Sequence, residues 1–192
     1  IIHKKMDEQG VKCHCLRCRE VRTRVEFNPK AKFAVTSYQD DHGKEYFLSY
    51  EACECTYCWR YYLFCIYWFI SRLFGFVVYW QGCPHYTACM GFCRLRHDSN
   101  PGLDIFPELK GCALIRELHV YGQMIPVENN NVNKVAQHAG FGKRLMKKAE
   151  EISLNNGWKK AAVIAGTGAR PYYENKCGYH LEGTYMIKKL TL

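Results

Sequence analysis

Apolar positions follow a helical period in one long segment of the chain. Four apolar residues recur there at intervals of three or four, with charged residues between them: Phe141, Leu145, Ala149 and Ile152. This period predicts an amphipathic helix with one face on a core and the other in water. Glycines open the segment, which indicates a tight turn before the helix.

The flanking segments carry the patterns of strands. Residues 113–122 and 161–166 are rich in apolar residues and end in glycine, which predicts two strands, the second of them buried and parallel. Residues 170–179 predict a short helix that a glycine closes, and residues 184–190 predict a last strand. This order of elements predicts an α/β fold, a mixed sheet flanked by helices.

The first turns of the long helix carry an unusual charge. Acidic residues normally occupy helix N-termini, because the amide groups there are unpaired and the dipole is positive. This helix instead begins with four bases: Lys143, Arg144, Lys147 and Lys148. We expect an anionic ligand whose phosphates reach the amides through the glycine turn; a glycine-rich turn before an ordinary surface helix is the alternative. The pattern Gln137-x-x-Gly140-x-Gly142 resembles the one with which GNAT-type acetyltransferases hold the pyrophosphate of coenzyme A.

Several irregular strings give a sharper resemblance. Over about residues 6–51 and 92–190 the chain resembles the family of Elongator catalytic subunits, most specifically in residues 115–122, 137–142, 170–173 and 177–179. Members of that family join a radical SAM domain to a C-terminal acetyltransferase domain and modify the wobble uridine of transfer RNA. The resemblance implies a GNAT fold with a mostly antiparallel sheet for residues 25–192. It implies that residues 1–24 are a cysteine-bearing linker from a radical SAM domain that would precede residue 1.

The resemblance also implies roles for individual residues. One strand would lie along the acetyl and pantetheine arm of acetyl-CoA: Glu117, Leu118, His119 and Val120. The glycine turn would bind the pyrophosphate: Gln137, Gly140, Phe141, Gly142 and Lys143. Tyr173 would lie near the thiol, with Tyr172 beside it, and could give a proton to the leaving sulfur. Glu117 and His119 alternate with Leu118, so both face one side of the strand and form a candidate acid–base pair.

Each of these roles has a structural alternative. Two adjacent tyrosines on a short helix are more often core residues, and polar strand residues are more often hydrogen-bonded structural partners. The implied activity is acyl transfer: a 5′-deoxyadenosyl radical is held to activate the acetyl group of acetyl-CoA, which joins uridine C5, and hydrolysis leaves a carboxymethyl group. We expect this chain to bind acetyl-CoA without completing the reaction, since the iron–sulfur cluster and S-adenosylmethionine belong to the full-length protein. A protein (histone) lysine acetyltransferase and an inactive chain, membrane-associated or misfolded through an insert, are the alternatives.

The charge of the chain agrees with a polyanionic partner. Lysine and arginine number 27 against 18 acidic residues, a formal net charge of +9, which favours phosphate contacts; a merely basic protein is the alternative. The resemblance implies transfer RNA and the other Elongator subunits as partners. It implies a cytoplasmic location, with the nucleus as a second one, and no secretory signal is visible at the start.

Three cysteines lie close together near the N-terminus: Cys13, Cys15 and Cys18. Thiolates at this spacing can converge on one soft metal ion, and zinc would tie down a short segment that has no core of its own. Relatives in the resembled family carry a similar cluster with a zinc site. His14 is a further candidate ligand, and reduced thiols or an oxidised pair are the alternatives. The arginines that follow could contact RNA phosphates or form a solvated surface: Arg17, Arg19, Arg22 and Arg24.

Residues 52–91 do not fit this pattern. They hold six of the twelve cysteines, and in the resembled family a short turn joins the strands on either side. Residues 61–80 have the length of a bilayer-spanning helix, but Arg72 near the middle would cost about 2.5–3.5 kcal/mol. A metal-binding insert is a second hypothesis, since three cysteines repeat the spacing of the first cluster: Cys53, Cys55 and Cys58. We favour translated noncoding sequence, because no helical or strand pattern uses the many aromatic residues, and we assign no membrane association.

Overall fold

The strands and helices come from five stretches of the chain, since the computed structural model describes residues 2–11, 13–21, 31–53, 87–121 and 140–191. Seven strands in these residues form one sheet in the order β1-β2-β3-β4-β5-β7-β6. Their bounds are β1 Lys32–Gln39, β2 Gly43–Cys53, β3 Thr87–Asp98, β4 Cys112–Val120, β5 Lys160–Ile164, β6 His180–Glu182 and β7 Tyr185–Lys189. The helices are α1 Ile2–Glu8, α2 Leu16–Arg19, α3 Phe141–Asn155 and α4 Arg170–Tyr172, which continues into a π-helical turn, Tyr173–Cys177.

The sheet is antiparallel except at one pair of strands. β4 and β5 run parallel, with Ile115 opposite Val163. A parallel pair needs a crossover connection, and α3 lies in that connection after residues 122–139, which are outside the described residues. The expected mixed, mostly antiparallel sheet with flanking helices is confirmed, and the predicted strands correspond to β4, β5 and β7. The pattern does not predict β6, three exposed residues at the sheet edge.

The long helix α3 packs its apolar face on the centre of the sheet. Its four apolar residues at helical spacing are at most 3% exposed: Phe141, Leu145, Ala149 and Ile152. The face of the sheet beneath α3 is called here the helix face. It carries Tyr50, whose ring centroid lies 5.1 Å from that of Phe141, and the buried Leu48 and Cys93 beside it. The amphipathic helix predicted from the sequence is thus confirmed.

The opposite face, called here the far face, carries both polar and aromatic residues over β2 to β4. Its central residue is Glu45, only 1% exposed, which accepts hydrogen bonds from Arg94 Nε and Arg116 Nη1, each at 2.8 Å. Burial disfavours the charged carboxylate, but the bonds from the two arginines outweigh burial and lower the pKa of Glu45. Over β5 and β7 the far face is apolar, and Leu109 from a 3₁₀ turn packs on it.

The strands on either side of the long segment 52–91 pair with each other. β2 and β3 are antiparallel, and their pairing continues to Cys53 opposite Thr87. Ala52 and Ala88, the next pair along, are fully buried. Both ends of the segment therefore belong to the sheet and its core. The part of the chain inserted between β2 and β3 is shorter than the sequence suggests.

The middle of that segment, residues 54–86, lies outside the described residues. It contains the apolar run 61–80 as well as Cys55 and Cys58, so the membrane, metal and noncoding hypotheses for it stay predictions. Within the parts of the chain that the structure describes, no helix combines the length and the apolar character needed to cross a bilayer.

Candidate active site

β4 and β5 separate part-way along their length. Their pairing covers residues 112–115 of β4 and 160–163 of β5. β4 then continues to Val120 beside β3, whereas β5 ends at Ile164. No described strand pairs with the β5 side of residues 116–120. One edge of β4 therefore offers backbone amide and carbonyl groups to a ligand in the gap between the two strands.

A β-bulge lies where the two strands part. Arg94 of β3 pairs with Glu117 and Leu95 pairs with Ile115, so Arg116 is the extra residue of β4. A bulge bends its strand and increases the local twist. The bulge thus favours the departure of β4 from β5 and turns the following residues.

Glu117 and His119 both lie on the far face, so the side shared by these two residues is confirmed by the register. The side chain of Glu117 is 46% exposed and lies 3.9 Å from Arg94. His119 is exposed, and its ring stacks on that of Phe92 at a centroid distance of 5.8 Å. Leu118, between them, packs on the core of the helix face.

The start of α3 lies against the end of β4. Gly140 precedes the helix with a left-handed backbone, φ 71°, which glycine adopts at low cost. A Cβ on Gly142 would lie 3.4 Å from Val120 Cγ2 and 2.8 Å from the hydroxyl oxygen of Tyr172. Among the described residues no side chain caps the first turn, so its amides and the positive helix end can bind an anion. Gln137, the first residue of the glycine pattern, lies outside the described residues.

Tyr172 and Tyr173 lie beside the helix start, on the helix face. Tyr172 is half-buried, and its hydroxyl contacts the glycine turn. Tyr173 is 7% exposed and packs edge-to-face on Tyr172 at 5.3 Å between ring centroids. Burial raises the pKa of both hydroxyls, that of Tyr173 to about 12. Both hydroxyls carry their protons at neutral pH, as an unperturbed tyrosine does.

The sheet divides the four expected catalytic residues into two groups. Tyr172 and Tyr173 share the helix face with the start of α3, whereas Glu117 and His119 share the far face. The open edge of β4 lies between the groups. A ligand along that edge would have proton donors on one face of the sheet and acid–base groups on the other, rather than all four around one point.

The basic residues at the helix start do not share one role. The guanidinium of Arg144 lies over an aromatic ring of β2 at 4.2 Å, and Lys148 Nζ pairs with a neighbouring glutamate at 2.7 Å. Lys143 and Lys147 instead line a cavity between α3, the π-helical turn and β7, called here the lysine cleft. Two lysines that sequence reasoning missed line the same cleft: Lys176 and Lys188. No local pattern connects them with α3, because they are distant in the chain.

The three N-terminal cysteines come together around the helical turn α2. The sulfur atoms of Cys13, Cys15 and Cys18 lie within 4.8 Å of one another. A hydrogen bond from the Cys18 backbone, aided by the neighbouring thiols, lowers the pKa of Cys15 to about 7. Hydrogen bonds with the other two thiols raise that of Cys18 to about 12. Three thiols at these distances fit a thiophilic ion such as zinc, which would take a fourth ligand.

The arginines after this cluster differ in environment. Arg19 pairs with Glu51 of β2 at 3.1 Å and donates a hydrogen bond to the carbonyl of His14 at 3.0 Å. These contacts connect α2 to the sheet. Arg17 is exposed. Arg22 and Arg24 lie outside the described residues, so the contact with RNA expected for them stays a prediction.

Comparisons with known proteins point to one family. No family model matches the chain. The chain is 35% identical to Elongator complex protein 3 of Danio rerio and 33% identical to that of Homo sapiens, in each case over 97% of its length. It is 29% identical, over 99% of its length, to the tRNA uridine(34) acetyltransferase of Methanocaldococcus jannaschii. The solved structure of an N-terminally truncated Elp3 from Methanocaldococcus infernus matches 98% of the chain with a TM-score of 0.64 at 29% identity.

These relatives are much longer than the chain. It spans 29% of the length of the Danio rerio and Homo sapiens proteins, 30% of the Methanocaldococcus jannaschii protein and 38% of the solved Methanocaldococcus infernus chain. The similarity therefore concerns one region of each relative.

Proposed function

We propose that this chain, a homologue of the C-terminal region of Elongator complex protein 3, binds acetyl-CoA and acts in the modification of the wobble uridine of transfer RNA. The observation that carries the proposal is the open edge of β4 beside the uncapped start of α3. Residues 25–192 would form the acetyltransferase domain, with a segment inserted between β2 and β3. Residues 1–24 would be the linker to a radical SAM domain of the full-length protein.

The helix start is suited to the diphosphate of coenzyme A. The amides of Phe141, Gly142 and Lys143 lie in the first turn of α3, where no described side chain caps them, and the helix dipole adds positive charge. Gly142 lets the turn pack closely on Val120 and Tyr172. We expect the backbone of this turn to supply most of the donors and Lys143 to supply a full positive charge.

The open edge of β4 is suited to the pantetheine arm and the acetyl group. Residues 117–120 have no strand partner on that side among the described residues, so their backbone groups can hydrogen-bond the arm. A fixed amide near the thioester carbonyl would stabilise the negative charge that develops on its oxygen. Tyr172 or Tyr173 would then protonate the leaving sulfur, since both lie beside the start of α3 and a tyrosine hydroxyl carries its proton at neutral pH.

The far face is suited to the second substrate. Glu117 and His119 are exposed there, beside the same strand edge. A nucleoside approaching from this side would meet the acetyl group without crossing the tyrosines. We propose transfer RNA as this substrate, the other Elongator subunits as partners, and zinc bound by Cys13, Cys15 and Cys18 as a structural ion.

Isothermal titration calorimetry with acetyl-CoA tests the binding part of the proposal. We expect saturable binding, and we expect Gly142→Ala to weaken it, because the added Cβ would press on Tyr172. Gly168→Ala is the matched control, since a Cβ at that glycine would meet nothing within 4 Å. Absence of heat at millimolar acetyl-CoA would overturn the proposal.

The acceptor is tested separately in the full-length protein. Labelled acetyl-CoA is offered with an anticodon stem-loop RNA or with histone peptides. We expect incorporation into the RNA only. Incorporation into the peptides alone would replace the proposed acceptor by protein lysine while leaving the acetyl-CoA site in place.

A further inference from the structure

The lysine cleft is a cavity of about 270 Å³ beside the start of α3. Three elements that are distant in the chain form it: α3, the π-helical turn and β7. Its floor is apolar, since Met146 is 1% and Cys177 is 9% exposed. Its charged lining consists of four lysines and one glutamate: Lys143, Lys147, Lys176, Lys188 and Glu150.

The positive charge of the cleft is only partly balanced within the protein. Lys188 Nζ lies 2.8 Å from one carboxylate oxygen of Glu150, and the Tyr179 hydroxyl donates to the other at 3.0 Å. Both oxygens of the glutamate are thus engaged away from the other lysines. Those lysines have no ion pair with any described residue: Lys143, Lys147 and Lys176. Like charges around one cavity repel, and a bound anion would remove that repulsion.

A lysine outside the cleft gives the contrast. Lys148 follows Lys147 on α3 but points away from the cavity, where its Nζ lies 2.7 Å from Glu151 and 5.8 Å from the ring centroid of Phe33. This neighbouring lysine therefore has both a counter-charge and an aromatic face within the protein. Among the lysines of α3, those without such partners are therefore the two that line the cleft.

The cleft continues from the proposed diphosphate site. Lys143 is the third residue of α3 and lines the cleft, while Lys147 lies one turn further, about 6 Å along the helix axis. Coenzyme A carries a single phosphate on the 3′ oxygen of its ribose, one sugar away from the diphosphate. We propose that the lysine cleft binds this 3′-phosphate, with Lys147 and Lys176 as its main ligands. The proposal rests on the proposed function, because the diphosphate turn fixes where the ribose lies.

Dephospho-CoA, which lacks only the 3′-phosphate, is the probe that isolates this contact. Titration of the chain with coenzyme A and with dephospho-CoA should give about a tenfold higher affinity for coenzyme A, the size expected for charge-assisted hydrogen bonds at a partly exposed site. The ratio should fall as salt is raised. In the double variant Lys147→Ala, Lys176→Ala the affinity for coenzyme A should drop to that for dephospho-CoA, whose own affinity should not change. Lys148→Ala should keep the wild-type ratio.

The outcomes separate this inference from the proposed function. Equal affinity of the wild-type chain for the two ligands would overturn the inference and leave the acetyl-CoA site intact. Binding of neither ligand would overturn both. If the double variant lost affinity for both ligands equally, the cleft would bind the diphosphate instead. If it lost affinity for a short RNA while the ratio between the two ligands stayed unchanged, the cleft would bind RNA instead. Thermal melting of each variant checks folding, which the removal of exposed lysines without ion pairs should not affect.

Discussion

Replacing Glu45 with glutamine removes one buried charge from the far face with almost no change in side-chain size. Glu45 is 1% exposed and accepts hydrogen bonds from Arg94 and Arg116. In Glu45→Gln both guanidinium groups keep their charge and lose the carboxylate of Glu45, although Arg94 retains that of Glu117 at 3.9 Å. Removing one partner of a buried ion pair typically costs about 3–5 kcal/mol. The two arginine side chains are 35% and 44% exposed, so water replaces part of the interaction, and we expect a loss of about 2–3 kcal/mol.

Thermal and urea denaturation measure that loss. For a chain of this length a change of 1 kcal/mol moves the melting temperature by about 2–4 °C, so Glu45→Gln should melt about 4–12 °C below wild type. Glu151→Gln is the matched control, because its partner Lys148 is 36% exposed and Glu151 is itself 41% exposed. An exposed pair of this kind contributes about 0.5 kcal/mol or less. Equal melting temperatures for the two variants would refute the account of the far face.

The pH dependence of the difference gives a second check. The folded-state pKa of Glu45 is lowered, so its carboxylate contributes stability above the unfolded-state pKa of about 4.3, and the contribution disappears as pH falls through the folded-state pKa. The gap between wild type and Glu45→Gln should therefore be constant above about pH 5 and shrink in acid. A gap that widened in acid would mean that Glu45 is protonated in the folded protein.

Four further predictions concern the site, the cysteine cluster and the core. Gly142→Ala should weaken acetyl-CoA binding about tenfold through overpacking, and adding Tyr172→Phe, which removes the oxygen 2.8 Å from the new Cβ, should restore binding in calorimetry. Tyr172→Phe alone should slow release of the coenzyme A thiol by about 10²-fold or more in the full-length enzyme if this hydroxyl protonates sulfur; an unchanged rate would exclude it. Cys15→Ser should lower bound zinc, measured by mass spectrometry, from one equivalent towards none, and full retention would contradict the metal assignment. Burial lowers the pKa of His97 to about 4. The stability that its neutral form contributes is therefore complete above about pH 6.5 and declines as pH falls to about 4. Urea unfolding of the wild type and of His97→Gln at a series of pH values will measure this decline.

The parts of the fold that the sequence predicts are those with a local cause. One helical period accounts for the buried face of α3, and a short apolar run accounts for β5. β6 has no such cause: its three residues are exposed, and only their pairing with β7 makes them a strand. The buried carboxylate of Glu45 is equally invisible, because the arginines that make its burial tolerable come from β3 and β4.

The division of the site between two faces also lacks a local cause. Alternation places Glu117 and His119 on a common side of β4 but does not tell which side faces α3. The register with β3 and the bulge at Arg116 decide that, and both exist only once the strands have paired. The same holds for the helix-start bases, since Arg144 and Lys148 find partners within the protein while Lys143 and Lys147 face the cleft.

The position of the site follows from the single parallel pair of the sheet. After β4 the chain must return to the other end of the sheet before β5 can run in the same direction, and α3 makes that return. The amino end of α3 therefore lies at the carboxyl end of β4, in agreement with the closeness of Gly142 to Val120. Because β5 ends at Ile164 while β4 continues to Val120, the unpaired edge of β4 opens at that same end. A helix end that attracts phosphate and a strand edge that can bind an extended chain are thus brought together by topology. The glycines add the left-handed turn before α3 and the close packing of its first turn.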